Sequence, residues 1–192
     1  MAESSRSSSD LSELLLAPAD AEKLDAHGRT DAAVLVPMHG WPDNPGLVFT
    51  ERRSDLNRHA GEISFPGGRR DGNEELVHTA LREAEEEIGL APERVEVVGA
   101  LPPIGTFVTN YKVHPFVGLI EGGMRFEPNP SEVESVLVAS LDDLAAAYAK
   151  RRLVRRGVPI NTDTYEIADK LIWGATARIL GLLLERIRSE DR

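Results

Sequence analysis

The pattern of hydrophobic and polar residues along this chain predicts a mixture of strands and helices. Short apolar runs bounded by turn residues indicate buried strands, whereas apolar residues spaced three and four apart indicate helices. We expect strands near 32–38, 47–53, 63–65, 95–101, 113–120 and 136–140, and helices near 11–26, 74–89, 141–149 and 170–187. Because these elements do not alternate as regular βαβ units, the pattern predicts an α+β fold or a mixed sheet sandwiched by helices.

One domain accounts for most of the 192 residues, a length sufficient to bury a hydrophobic core. We expect residues 1–28 to form a flexible N-terminal tail and short helix, and residues 29–188 to form a single folded domain. The Ser-rich start lacks the basic and apolar regions of a secretory signal. No apolar run approaches the roughly 18 residues that a membrane span needs. We therefore expect a cytoplasmic protein.

The charge of the chain excludes some partners and points to one segment. A net charge of −10 argues against nonspecific binding to nucleic acids or to anionic membranes, which select basic surfaces. Without cysteine there is neither a disulfide nor a thiolate metal site. Eight of the 32 acidic residues lie between Asp71 and Glu93, and a surface helix does not need that density.

The acidic segment coincides with the clearest helix of the sequence. Asp71 or Asn73 can cap this helix at its start, and Gly89 is a suitable residue after its end. Six apolar residues recur at helical spacing and predict its buried stripe. They are Leu76, Val77, Ala80, Leu81, Ala84 and Ile88.

Three glutamates of this helix have the spacing of a metal site. Glu83, Glu86 and Glu87 stand at i, i+3 and i+4, so their carboxylates project from one face. Two carboxylates about 5 Å apart repel each other by roughly 3 kcal/mol at an effective dielectric near 20. A hard divalent cation would relieve this repulsion, and ligation by oxygen alone indicates Mg²⁺ or Mn²⁺. Such ions accompany phosphoryl and pyrophosphoryl chemistry. The alternative is a solvated acidic surface with i,i+4 pairs.

The residues of this helix and of the loop before it resemble the complete Nudix box. The matching positions are Gly68, Glu74, Arg82, Glu83, Ala84, Glu86, Glu87, Gly89 and Leu90. The resemblance implies an α/β/α sandwich with a mixed sheet. It also implies that Glu83, Glu86 and Glu87 bind metal together with the Gly68 carbonyl, and that Arg82 pairs with Glu74 to hold the carboxylates.

The segment before the box resembles the additional signature of the coenzyme A diphosphatase subfamily. Thr50, Arg52, Gly61 and the run 65–68 match that signature at its spacing. Two positions depart from it, because Arg53 stands where a small residue is usual and Asn57 replaces an arginine. The segments 129–136 and 172–180 are also similar to the subfamily.

The arginines around this signature are candidates for binding phosphate, which guanidinium groups grip through two hydrogen bonds. We expect a substrate-binding set that consists of Arg52, Arg53, Arg58, Gly67, Gly68 and Arg69. The alternative for each arginine is local charge balance.

Other residues carry open alternatives. Glu132, in preference to Glu134, matches the position where many Nudix enzymes have a further metal ligand or base, and we include it in the catalytic set. His59, Phe107 and Tyr111 are candidate contacts, each with a structural alternative. We read the basic run 150–156 as a solvated loop or substrate rim, and Trp173 as core.

The resemblance implies hydrolysis of the diphosphate of coenzyme A or acyl-coenzyme A to (acyl-)4′-phosphopantetheine and adenosine 3′,5′-bisphosphate. The alternatives are another nucleoside diphosphate derivative, such as ADP-ribose or NADH, and a non-catalytic Nudix module that senses a ligand. We expect a small-molecule partner similar to coenzyme A, with Mg²⁺ or Mn²⁺ as cofactor. We expect neither a nucleic-acid nor a membrane partner, and a homodimer stays open.

Overall fold

The computed structural model describes residues 7–55, 61–106, 110–155 and 157–189. The helices are α1 (Ser8–Glu13), α2 (Pro18–Ala21), α3 (Leu76–Ile88), α4 (Leu141–Ala146) and α5 (Gly174–Ser189), with a 3₁₀ turn at Pro92–Arg94. The strands are β1 (Thr30–His39), β2 (Gly46–Arg52), β3 (Ile63–Ser64), β4 (Gly67–Arg69), β5 (Glu96–Ala100), β6 (Ile104–Gly105), β7 (Tyr111–Ile120), β8 (Val133–Ser140), β9 (Tyr148–Arg155), β10 (Val158–Ile167) and β11 (Lys170–Trp173).

The main sheet is mixed. Its central order is β3-β2-β1-β7-β5, with β4 against β1, β6 against β7 and β8 against β2. Strands β1 and β7 are parallel along their whole length, from Thr30 opposite Tyr111 to His39 opposite Ile120. The remaining pairs in this sheet are antiparallel.

Each face of the main sheet buries its own hydrophobic cluster. Strand β1 is apolar almost throughout because its side chains alternate between the two clusters. Ala33 and Leu35 pack on one face with the apolar stripe of α3. Val36 and Met38 pack on the other face with residues of α5. This arrangement confirms the α+β fold with a mixed sheet between helices.

The C-terminal region differs from the prediction. Strands β9, β10 and β11 form a separate three-stranded antiparallel sheet. The helix predicted near 170–187 begins only at Gly174, because 170–173 pair with β10 as β11. The basic run predicted as a loop lies instead largely in β9, since its backbone pairs with β10 from Arg155 to Tyr148. Long-range pairing overrides local propensity here.

The N-terminal region also differs from the single helix predicted near 11–26. Two short helices, α1 and α2, replace it. Pro18 begins α2, and a proline cannot continue a preceding helix because its ring clashes with the previous turn. Leu11 is fully buried, and Leu16 bridges to Ala100 of β5. The helices of the described residues all lack the length and apolar character that would let one cross a lipid bilayer.

Candidate active site

Two glycines of β4 allow the main sheet to approach α3 closely. Gly68 is opposite Ala33 of β1, and Gly67 is opposite Val34. A Cβ on Gly68 would lie 2.4 Å from the carboxyl group of Glu83, and a Cβ on Gly67 would lie 2.3 Å from the Ala33 carbonyl oxygen. Both contacts are too short for real atoms. Glycine at these positions therefore permits the Glu83 carboxylate to lie against the backbone of the strand.

Helix α3 presents its acidic face to this strand. It ends as predicted at Gly89, whose φ of 67° is left-handed. Its start differs, because Glu75 is the capping residue and neither Asp71 nor Asn73 is. The preceding Glu74 accepts a 2.8 Å hydrogen bond from the buried Thr79 hydroxyl.

Arg82 joins the acidic residues of the helix. Its guanidinium donates to Glu74 Oε1 at 3.2 Å, to Glu83 Oε1 at 2.9 Å and to Glu86 Oε2 at 3.2 Å, and it also reaches the Arg69 carbonyl oxygen at 3.3 Å. The hydrogen bond with Glu74 is the main reason that the pKa of Arg82 is raised. Arg82 therefore stays charged and fixes the orientation of Glu83.

Glu87 is the most deeply placed carboxylate of the site. Only 6% of Glu87 is exposed, so this residue does not belong to the solvated acidic surface that was the alternative interpretation. The Gly67 N–H donates to its Oε2 at 3.3 Å. The pKa of Glu87 is raised to about 8, mainly by burial and also by the negative charges of Glu83 and Glu132, while the Gly67 N–H and the charge of Arg52 lower it. An uncompensated carboxylate of this kind favours a nearby cation.

Glu83 has a similar environment. Burial raises the pKa of its carboxyl group, the hydrogen bond from Arg82 opposes that shift, and the charges of Glu86 and Glu132 support it. Glu86 differs from both, since its side chain is 58% exposed and its carboxylate is directed to Arg82.

These residues suit a cation that takes only a few of its ligands from the protein. Over the described ranges, no three acidic or histidine side chains come close enough together to surround a metal ion by themselves. Glu83 and Glu87 offer two carboxylates next to the backbone of β4, Glu83 at Gly68 and Glu87 at Gly67. Mg²⁺ commonly binds through one or two carboxylates and completes its shell with water and substrate phosphates. The donor set therefore suits Mg²⁺ or Mn²⁺ with a phosphate-bearing ligand.

Arg52 and Arg53 have different environments at the end of β2. Arg52 is close enough to Glu87 for its positive charge to lower the pKa of that carboxyl group. Its Nε is buried and has no hydrogen-bond partner within the described part of the chain. Arg53 instead donates to both carboxylate oxygens of Asp55, at 2.8 and 2.6 Å, and to the Pro130 carbonyl oxygen.

The loop between β7 and β8 closes one side of the site. The Asn129 N–H donates to the Glu87 carbonyl oxygen at 2.8 Å, which fastens this loop to the end of α3. Glu132 lies in the same loop, and its charge acts on Glu83 and Glu87. Glu134 acts instead on Arg53. Of the two candidate loop glutamates, the structure therefore brings Glu132 to the carboxylates.

Sequence reasoning did not identify Thr79 or Asn129. Thr79 lies in the helix that was predicted, but only its contact with Glu74 reveals its role, and Asn129 acts through its backbone. Some sequence-predicted positions lie outside the described residues. They are Asn57, Arg58, His59, Phe107 and Arg156.

Comparison with known proteins gives a consistent result. Residues 29–157 match the NUDIX domain model. The chain is 38% identical over 167 residues to the uncharacterized Nudix hydrolase NudL of Pectobacterium atrosepticum, covering 84% of each chain. It is 35% identical to NudL of Photorhabdus laumondii subsp. laumondii, covering 89% of this chain and 91% of the other.

Solved structures share the fold at low sequence identity. The Nudix hydrolase RenU from M. smegmatis aligns with a TM-score of 0.57 and 17% identity, over 85% of this chain and 86% of its own. The NUDIX domain of Shewanella oneidensis NrtR, solved with ADP-ribose, aligns with a TM-score of 0.52 and 14% identity, over 85% and 89%.

Proposed function

The chain belongs to the Nudix family, and from this premise we propose that it hydrolyses the diphosphate of coenzyme A or acyl-coenzyme A. As a Nudix hydrolase it acts on a nucleoside diphosphate derivative. The products would be (acyl-)4′-phosphopantetheine and adenosine 3′,5′-bisphosphate. The observation that carries the proposal is the placement of Arg52. The charge of this residue of the upstream signature, which begins at Thr50, acts on Glu87, and its buried Nε has no hydrogen-bond partner among the described residues.

Glu83, Glu87 and the Gly68 carbonyl would hold the divalent cation. When bound, Mg²⁺ or Mn²⁺ supplies positive charge to the diphosphate oxygens and lowers the pKa of a coordinated water. Arg82 keeps Glu83 in place through its hydrogen bonds to Glu83 and Glu74. Glu86 is exposed and lies one helical turn from Arg82, so it can reach the cation through a water molecule.

Glu132 is our candidate for the group that accepts a proton from the attacking water. It is exposed in a loop that the Asn129 backbone attaches to Glu87, and its charge acts on both Glu83 and Glu87. A carboxylate at this point can orient a water for in-line attack on phosphorus.

Arg52 would bind the diphosphate and not the 3′-phosphate, because its charge acts on Glu87, one of the carboxylates that would hold the cation. A buried guanidinium nitrogen without a partner is costly, and a phosphate oxygen would satisfy it through a charge-assisted hydrogen bond. Arg53 already forms hydrogen bonds with Asp55 and the Pro130 carbonyl oxygen, so it would contribute less than Arg52 to phosphate binding. Gly67 and Arg69 border the same surface, and Arg58 completes the substrate-binding set of the proposal.

A substrate panel tests the proposal. The purified protein is incubated with Mg²⁺ or Mn²⁺ and with coenzyme A, acetyl-coenzyme A, ADP-ribose or NADH, and the products are resolved by chromatography. We expect coenzyme A or its thioester to have the highest kcat/KM. Turnover of ADP-ribose that equals or exceeds that of coenzyme A would refute the substrate. Tight nucleotide binding without turnover in any divalent metal would indicate a ligand-sensing module instead.

A further inference from the structure

An ion pair whose carboxylate is largely buried lies on the face of the main sheet opposite Arg52. Side chains alternate along β2, so Glu51 points to the face of the main sheet opposite Arg52. Lys170 donates to Glu51 Oε1 at 2.5 Å, and the Ser135 hydroxyl donates to Oε2 at 2.7 Å. The Glu51 side chain is only 12% exposed. Both of its oxygens are therefore held, one from β8 and one from the C-terminal sheet.

The pairing of β2 with β8 is irregular at the same place. Ser135 is opposite Glu51, but the next pair in the register is Val133 with Arg52. Glu134 therefore has no residue of β2 opposite it. This is a β-bulge, a feature that bends a strand and redirects side chains, often beside active sites. The direction of Arg52 therefore depends on how the bulge is held.

The backbone on the opposite edge of β2 is regular at this point. The Arg52 N–H donates to the Glu62 carbonyl oxygen at 3.0 Å, and the Arg52 carbonyl oxygen accepts from the Gly61 N–H at 2.9 Å. One edge of β2 is thus fixed by main-chain hydrogen bonds. The bulged edge has a main-chain hydrogen bond from the Arg53 N–H to the Glu132 carbonyl oxygen at 3.0 Å, and beside it the side chains of Ser135 and Lys170 hold Glu51.

Lys170 follows a tight turn between β10 and β11, which places its side chain at Glu51. Ile167 pairs with Lys170 across a two-residue turn in which Ala168 and Asp169 have φ values of 49° and 60°. The left-handed conformation costs about 1–2 kcal/mol for a residue that is not glycine. A two-residue hairpin turn requires this conformation at both positions, and the hairpin places Lys170 at the start of β11.

We propose that Lys170, Glu51 and Ser135 form a positioning group that holds the bulged end of β2, so that Arg52 faces the carboxylates and binds the diphosphate. The inference rests on the proposed function in one respect, namely that Arg52 binds the diphosphate. None of the three side chains touches the substrate. Their effect is on affinity, because they set the orientation of a binding residue and leave Glu83 and Glu87 unchanged.

A purely structural role predicts a different result. If the pair only joined two sheets, its loss would lower the free energy of unfolding without a specific effect on diphosphate binding. The C-terminal sheet offers a control, since Arg151 forms an ion pair with Glu166 on the same sheet and is as exposed as Lys170, although Glu166 is more exposed than Glu51. Comparison of Lys170 with Arg151 therefore separates positioning from general stabilisation.

The test measures the affinity of a non-hydrolysable diphosphate, methylenediphosphonate, by titration calorimetry with Mg²⁺. We expect Lys170→Met to weaken binding about 5- to 10-fold and to raise KM for coenzyme A similarly, with kcat within twofold. Lys170→Arg should restore affinity because it keeps the ion pair. Arg151→Met should leave affinity and KM unchanged.

Double variants give the decisive comparison. If the positioning group acts through Arg52, Lys170→Met in an Arg52→Ala background should weaken binding no further. Additive losses, or unchanged affinity in Lys170→Met, would overturn the inference while leaving the proposed function intact. Unchanged affinity in Arg52→Ala alone would refute the phosphate role of Arg52 and this inference with it. Should Lys170→Met fail to fold, the Glu51→Gln/Lys170→Met variant removes both charges and permits the same measurement.

Discussion

Two charged segments of this chain, α3 and β9, differ in how deeply their charged side chains are buried. Glu83 and Glu87 of α3 lie against the glycines of β4, where Glu87 is 6% exposed beside the partly buried Glu83. Lys150, Arg151 and Arg152 are exposed on β9, a strand that within the described residues pairs with β10 alone. Charge density alone does not mark a site. Burial without full compensation does, because only a buried charge retains a strong need for a partner.

The largest expected effect in this comparison comes from Glu87→Gln. The variant removes a candidate metal ligand, so turnover should fall at least about 100-fold. Glutamine keeps the volume and can still accept from the Gly67 N–H, and it removes a buried like charge. The melting temperature without metal should therefore not decrease. Glu85→Gln, on the exposed side of α3, is the control. Retention of more than about a third of wild-type activity would contradict the assignment.

Arg52→Ala removes the positive charge that acts on the buried Glu87. A charge-assisted phosphate contact contributes about 1.5–3 kcal/mol, so kcat/KM should fall about 10- to 100-fold, mainly through KM. The loss should be equal for coenzyme A and dephospho-coenzyme A if Arg52 binds the diphosphate, as proposed. A smaller loss with dephospho-coenzyme A would place Arg52 on the 3′-phosphate.

Gly68→Ala tests the close approach of β4 to α3. The new Cβ would displace the Glu83 carboxylate, the flexible end of a side chain, so the fold should survive while kcat falls about 10-fold or more. Gly122→Ala is the control, because no atom lies within 4 Å of its Cβ position. Equal activities of the two variants would show that the glycine strand has no part in orienting Glu83.

Stability should depend on pH through Glu87. Its pKa in the folded protein, about 8, is raised above the ordinary value of 4.5. The folded state therefore favours the protonated form of Glu87. Without metal, the contribution of Glu87 to the free energy of unfolding is greatest below pH 4.5 and decreases as the pH rises toward 8. Mg²⁺ should counteract that decrease and stabilise most near pH 8. Thermal unfolding with and without Mg²⁺ at pH 6 and pH 8 measures the increase in melting temperature that Mg²⁺ causes. A larger increase at pH 6 than at pH 8 would contradict the role of Glu87 in this pH dependence.

The smallest effect is expected in the basic strand. Arg151→Ala removes an ion pair that is partly exposed on both sides, and such pairs contribute about 0–1 kcal/mol. The free energy of unfolding in urea should change by less than about 1 kcal/mol, and kcat/KM should stay within twofold. A loss of activity comparable to that of Arg52→Ala would assign β9 to the substrate-binding surface.

The sequence by itself determined the features whose geometry is local. The i, i+3 and i+4 spacing places Glu83, Glu86 and Glu87 on one helical face whatever surrounds them. The end of α3 at Gly89 follows from the freedom of glycine to adopt positive φ. The apolar strands β1, β2 and β7 were also evident, because burial on both faces leaves continuous hydrophobic runs.

Only the tertiary structure decided which of these carboxylates is buried and what faces it. Glu87 is enclosed because β4 packs on α3, whereas Glu86, one residue earlier, is exposed and bonded to Arg82. Glu132 reaches the site because the Asn129 backbone binds the end of α3. Strand β11 formed where a helix was predicted. In each case the deciding contact joins residues far apart along the chain, and local propensity carries no information about such contacts.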